Sequence, residues 1–303
     1  MQTLILLGVV GLLAQLVDGS LGMGYGVTST TLLLAVGATP AGASATVHLA
    51  QIGTTLSSGL SHWRMGNVDW RVVRRIAIPG GIGAFGGATV LSSLSTQAAA
   101  PLMSGILLLL GCYVLLRFTV RGLPSGNLGK PLRGRFLTPL GLVGGFVDAT
   151  GGGGWGPVGT SALLASGRLE PRRVVGSVAT GEFIVALSAS AGFLTGLGHS
   201  GVNLPWAVAL LIGGAAAAPF AAWIVRYVPP RVLGSVVGGM IILTNAHTVM
   251  NSDWLPVDGT GQTAVYLLVL TLWAAATAWS LRAHLTDSAA ARAAAPEPEA
   301  ARG

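Results

Sequence analysis

The chain has 303 residues, 51% of them apolar and 9% charged, with a mean hydropathy of +0.70. Soluble domains carry about 25% charged residues, so this composition excludes an ordinary soluble domain and points to an integral membrane protein. The net charge of +7 is spread over short basic clusters between apolar runs, which excludes a nucleic-acid surface, and the single Cys112 excludes an intrachain disulfide.

From Met1 to Arg64 the only formal charge is Asp18. The apolar start lacks a basic n-region, so it reads as part of the membrane domain rather than a cleaved signal. It is interrupted by Val17-Asp18-Gly19-Ser20-Leu21-Gly22-Met23-Gly24-Tyr25-Gly26-Val27, a glycine-rich break with one carboxylate and one aromatic. A crossing takes about 20 residues. The pattern therefore predicts a broken hairpin over 3–37 and a crossing at about 43–61. The 41 uncharged residues between Arg75 and Arg117 make room for two more, near 76–94 and 100–118. Gly80, Gly83, Ala84, Gly87 and Ala88 form a small-residue packing seam there. A Gly/Pro-containing linker follows at 119–134.

Between Arg135 and Arg168 lie 32 residues with only Asp148 charged. As helix they would measure about 48 Å, too long for one plain crossing and too short for two with a turn. If this stretch crossed once, eight of the 17 Lys and Arg would lie opposite the other nine. If it dips in and returns, all lie on one side, which the positive-inside rule makes cytoplasmic. The hairpin is the better reading. Its turn is Val147-Asp148-Ala149-Thr150-Gly151-Gly152-Gly153-Gly154-Trp155-Gly156-Pro157, and a shift of 130 residues lays it on the first break. Asp18 then meets Asp148, Gly22 Gly152, Gly24 Gly154, Tyr25 Trp155 and Gly26 Gly156. Between Arg173 and Arg226 only Glu182 is charged, which predicts helices near 174–195 and 204–225. Two more flank an acidic loop with Asp253 and Asp258, and the last lies near 262–283. Trp206, Trp254 and Trp273 read as interfacial or lipid-facing.

The expected fold is an all-α integral membrane protein, an inverted-topology repeat of two halves. Each half is a broken-helix hairpin plus three transmembrane helices, and one extra helix ends the bundle. The expected divisions are a first repeat at 1–118, a cytoplasmic linker at 119–134 and an inverted second repeat at 135–250. An extracellular loop and the last helix fill 251–285, and a disordered Ala/Pro/Glu-rich cytoplasmic tail follows at 286–303. The N-terminus is expected outside and the C-terminus in the cytoplasm.

Irregular backbone within a bilayer is tolerated only where protein buries it or water reaches it. Paired broken helices near the midplane are the recurring plan of secondary transporters. The amides of Gly24, Tyr25 and Gly26, and of Gly154, Trp155 and Gly156, open the second limb of each hairpin. They would aim the positive end of a helix dipole inward and favour an oxyanion. Gly22 and Gly152 complete the candidate binding set. The plainer reading gives these glycines only a sharp turn and close packing. Asp18, Asp148 and Glu182 are ionisable groups placed at depth, the usual mark of function. They read as proton-coupling or site-shaping residues, although an aspartate at a helix end also serves as a cap. The repeat aligns Glu182 with Gln51. His48 lies one turn before Gln51 on the same face, and both join the candidate substrate-binding set. Thr46, Thr54, Thr55, Ser57 and Ser58 read as helix-to-helix hydrogen bonders. No cofactor and no metal are expected; the partners are a small anion, protons and the bilayer, with no nucleic acid, and a homo-oligomer is compatible.

Several segments resemble the sulfite exporter TauE/SafE family. They are Asp18-Gly-Ser-Leu-Gly-Met-Gly-Tyr-Gly, the run from Pro40 to His48, His62-Trp63 before Gly66-Asn67-Val68-Asp69, Ile78-Pro79-Gly80, and Gly145-Phe146-Val147-Asp148. The resemblance covers about residues 1–250. It implies a plasma-membrane permease, an exporter of sulfite or related sulfur-containing anions, rather than an enzyme. Gln51 stands where the family commonly has an acid, which weakens any scheme using two symmetric acids. Two rival readings are a cation permease with the acids as ligands and an intramembrane aspartyl protease with Asp18 and Asp148 as its dyad.

Overall fold

The computed structural model describes residues 2–120, 128–198, 201–224, 229–251 and 257–293. Residues 121–127 of the linker, Arg226, Asp253, Trp254 and the tail from 294 onward lie outside the described residues. Among the described residues the regular structure is entirely helical. The helices are α1 (Gln2–Leu21), α2 (Tyr25–Ala35), α3 (Pro40–Arg64), α4 (Trp70–Ser93), α5 (Thr96–Val120), α6 (Gly134–Gly151), α7 (Trp155–Ser166), α8 (Pro171–Leu197), α9 (Leu204–Ile224), α10 (Pro230–Met250) and α11 (Gly259–Ala293).

Local chemistry sets several of these ends. Thr39 caps α3 by accepting from the Gly42 amide, with Pro40 opening the helix. Asp69 caps α4 through the Arg71 and Val72 amides. Gly167 closes α7 in the left-handed region, at φ 62°. Helix α11 runs on through Ala293, past the boundary expected at 286. The Ala-rich stretch after Ser288 is a strong helix former, and that local preference extends the helix where composition pointed to disorder.

Among the described residues six helices, α1, α4, α5, α8, α9 and α11, are long and apolar enough to cross a membrane. Helix α3 has 25 residues but falls short in hydropathy, because its polar side chains face protein rather than lipid. Helix α4 lies parallel along α6, where a Cβ on Gly83 would come within 2.0 Å of the Leu142 carbonyl oxygen and one on Gly145 within 1.9 Å of Gly80 O. Helix α9 lies in the same way along α1, with Gly213 against Gly8. The seam of small residues is therefore a set of backbone-to-backbone contacts. The half-buried Trp273 ring packs on Gly239 and docks α11 against α10.

Contacts between the first five helices and the next five recur when the two sets are exchanged. Helix α4 on α6 is matched by α9 on α1, and α4 on α8 by α9 on α3. Helices α3 and α8 face each other antiparallel: Gly59 meets Thr180 near one end and His48 meets Phe193 near the other. Helices α5 and α10 are antiparallel too, with Thr119 bonded to Ser235 and Gly111 packed on Ile241.

The two hairpins start from opposite ends of this bundle. Just before α6, Gly129 N donates to Arg168 O at 3.0 Å, and Arg168 Nη1 donates to Pro131 O at 2.8 Å just after α7. The 32-residue stretch therefore leaves and regains one end, called here the basic end. At the other end Gly8 lies by Ala209, and Thr46 accepts from the Asn203 amide.

Candidate functional site

The two breaks meet in the middle of the bundle. Gly22 and Gly24 turn the first at φ 69° and 129°; Gly152 and Gly153 turn the second at 71° and 158°. Each break then packs on the other. A Cβ on Gly26 would lie 2.8 Å from Gly153 Cα, and one on Gly156 would lie 2.5 Å from Met23 Cα. Two threonines fasten the crossing: Thr30 Oγ1 donates to Gly152 O at 2.6 Å, and Thr160 Oγ1 donates to Gly22 O. These two bonds are equivalent under the 130-residue shift. The sequence reading did not single out either threonine as a fastener, although the 130-residue shift lays Thr30 on Thr160.

Both aspartates turn to the amides of their own break. Asp148 Oδ1 accepts from Gly154 N at 2.8 Å and Trp155 N at 2.9 Å, while Asp18 Oδ1 accepts from Tyr25 N at a longer 3.4 Å. No hydrogen bond joins Asp18 to Asp148 among the described residues. The aromatic heads bond to backbone carbonyls: Tyr25 Oη donates to Leu210 O and Trp155 Nε1 to Val178 O, both side chains fully buried.

His48 fixes the proton inventory. Its Nδ1 lies 2.8 Å from Ser44 O, and Ser44 Oγ spends its own proton on Ala149 O. Nδ1 thus faces only acceptors and carries hydrogen. Its Nε2 lies 3.0 Å from Asp148 Oδ2. Two acceptors at that distance need a proton between them, so His48 and Asp148 share one. One turn on, Gln51 Nε2 donates to Glu182 Oε1 at 2.8 Å, the facing that the repeat alignment implied. Gln51 Oε1 is buried without a protein partner. Of the hydroxyls nearby, Thr54 and Thr55 bond back to Gln51 O, Ser57 crosses to Ala215 O, and Ser58 has no protein partner.

Cavities lie on either side of the crossing. At the basic end one of about 450 Å³ is lined by Arg71, Arg75, Lys130, Arg168 and Arg173 with Asp69. Beside it Arg172 pairs with Glu170 at 2.8 Å and holds that surface carboxyl below its usual range. At the other end a cavity of about 560 Å³ has uncharged walls, including Thr39, Thr46, Asn203 and Trp206. It shares Val202 and Leu204 with an inner cavity of about 210 Å³ that reaches Phe193. The Phe193 ring stands 5.9 Å from His48. Between the cavities the breaks are in contact, so the crossing is closed in this structure.

A multi-helix membrane bundle with paired helix ends and buried carboxyl groups at its centre is the architecture of a membrane transporter. Comparison with known proteins agrees. The family described as "Sulfite exporter TauE/SafE" matches residues 7–248, and the chain belongs to that family. It is also 53% identical over 272 residues to "Probable membrane transporter protein YtnM" of Bacillus subtilis (strain 168), covering 89% of each chain. No solved structure gives a significant match.

Proposed function

We propose that this membrane transporter moves sulfite or a related small sulfur-containing oxyanion across the plasma membrane, as a proton-coupled exporter. The observation that carries this reading is the Asp148 carboxylate on the Gly154 and Trp155 amides. The first turn of α7 already holds an oxyanion, at a helix end whose dipole favours one. The tethered carboxylate acts as a placeholder that a free anion displaces when the breaks part. On leaving the amides, Asp148 keeps the proton it shares with His48 and becomes neutral. It then does not repel the anion that replaced it. Glu182 is the second proton-coupling carboxyl, with Gln51 as its polar partner. Asp18 plays the corresponding part at the first break, where its longer bond makes it the easier one to displace.

The two halves enter the bilayer with opposite sense, and the excess of Lys and Arg makes the basic end cytoplasmic. Exchange of the halves' arrangements then opens the crossing to each side in turn. The protease and cation readings draw less support. A catalytic dyad needs two carboxylates sharing a proton, and a cation needs their lone pairs, whereas Asp18 and Asp148 each accept from amides of their own break and Glu182 accepts from the Gln51 side chain.

The test is flux of radiolabelled sulfite through reconstituted vesicles, against thiosulfate, sulfoacetate and divalent cations. Sulfite should move faster than through empty vesicles and respond to an imposed pH gradient. Glu182→Gln should bind sulfite yet lose that response. Absence of anion movement refutes the substrate class, and unchanged pH response in Glu182→Gln refutes its proton role.

A further inference from the structure

We infer that Ser58 and His62 of α3 form a second oxyanion-binding station, between the basic cavity and the central crossing. It rests on the transport reading above and adds the route by which the anion reaches the crossing from the basic end.

The starting point is a stripe on α3. Ser44, His48, Gln51, Thr55, Ser58 and His62 follow one another at spacings of four and three, so they share a single helix face. All six are buried. From Ser44 to Thr55 each makes a hydrogen bond already described. Ser58 Oγ and His62 Nε2 have no protein partner. The His62 tautomer follows from its other nitrogen. Asn67 Nδ2 lies 3.3 Å from His62 Nδ1, and an amide NH₂ can only donate. Nδ1 therefore accepts, and the ring proton is on Nε2. Two buried donors, an N–H and an O–H, stand one turn apart with no acceptor. A buried donor left unmet is costly, and a visiting oxyanion would remove that cost.

Position links this pair to the basic cavity. Asn67 packs on Gly176 of α8 and stands two residues from Asp69, which lines the cavity and donates its own amide to Ser177. Five cations at the mouth raise the local concentration of anions. An anion entering there meets the His62 and Ser58 donors next, and Gln51 about three turns above His62. The sequence reading gave Ser58 only a helix-to-helix hydrogen bond, which the structure does not show, and gave His62 no role of its own.

Two measurements test the station, on full-length protein with Cys112→Ser, in vesicles of uncharged lipid so that no lipid phosphate competes. In the first, Ser58→Cys should react with a membrane-impermeant maleimide from the basic end, and sulfoacetate should slow the reaction. In the second, His62→Ala should raise the sulfite concentration for half-maximal flux from the basic end about tenfold, the effect of one lost hydrogen bond to an anion. The value from the opposite end should stay unchanged, and His62→Gln, which keeps an N–H donor, should recover most of the loss. Lack of labelling, labelling that sulfoacetate leaves untouched, or an equal rise from both ends overturns the station while wild-type flux keeps the transport reading intact. Protected labelling without sulfite flux does the reverse: the station holds and sulfite fails as the cargo.

Discussion

At Gly153 the whole crossing depends on a missing Cβ. One placed there would lie 2.1 Å from Val27 N and 2.5 Å from Gly26 C, backbone atoms that cannot swing aside. Gly37 is a natural control, since it has φ 91° yet open space around it. Gly37→Ala should cost about 1 kcal/mol, from the backbone angle alone. Gly153→Ala should cost about 3 kcal/mol or more, because the breaks must separate to admit the methyl group. Thermal unfolding in nanodiscs compares the two, and equal losses would mean that the breaks do not pack as described. The sequence made the glycines visible by their duplication, but not their use. Nothing in Gly152-Gly153-Gly154 says that the second glycine faces a peptide 126 residues earlier. The same limit applies to His48, whose place on the α3 face was legible while its partner Asp148 was not.

Between elements, the hairpins α1–α2 and α6–α7 are held by the paired bonds Thr30 to Gly152 O and Thr160 to Gly22 O. Each is a side chain reaching the other hairpin's break, so each loses its purpose once the breaks part. Thr30→Val and Thr160→Val should each lower stability by about 1 kcal/mol, the net worth of one buried hydrogen bond. The double variant should depart from the sum of the two, since both bonds hold one contact surface. Strict additivity in a double-mutant cycle of unfolding free energies would show two independent bonds instead. Helix boundaries were largely legible at this scale, because charge spacing and length limit where a chain can cross a bilayer. Helix α3 was legible in a different way. Its hydropathy is too low for a lipid-facing span, and the face shared by His48 and Gln51 was the part of its inward side that the sequence made visible.

For the whole molecule, the decisive feature is that both ends of the α6–α7 stretch meet at Gly129 and Arg168. Hydropathy alone could not show this, since neither limb has the length and apolarity of a full span. The absence of charge from Phe136 to Val147 and from Ala149 to Gly167 did, through the side on which the following arginines must fall. The antiparallel facing of α3 with α8, and of α5 with α10, is what oppositely inserted halves would require of equivalent helices. Orientation in the membrane is then a question of sidedness. With Cys112→Ser as background, Leu128→Cys before α6 and Arg172→Cys after α7 should both react with an impermeant maleimide from the cytoplasmic face. Asn203→Cys, at the mouth of the uncharged cavity, should react from outside. A single crossing by α6–α7 would instead split Leu128 and Arg172 between the two faces. Labelling of all three from one face would remove the opposed entry of the hairpins, and with it the alternating exposure of the crossing on which the transport reading depends.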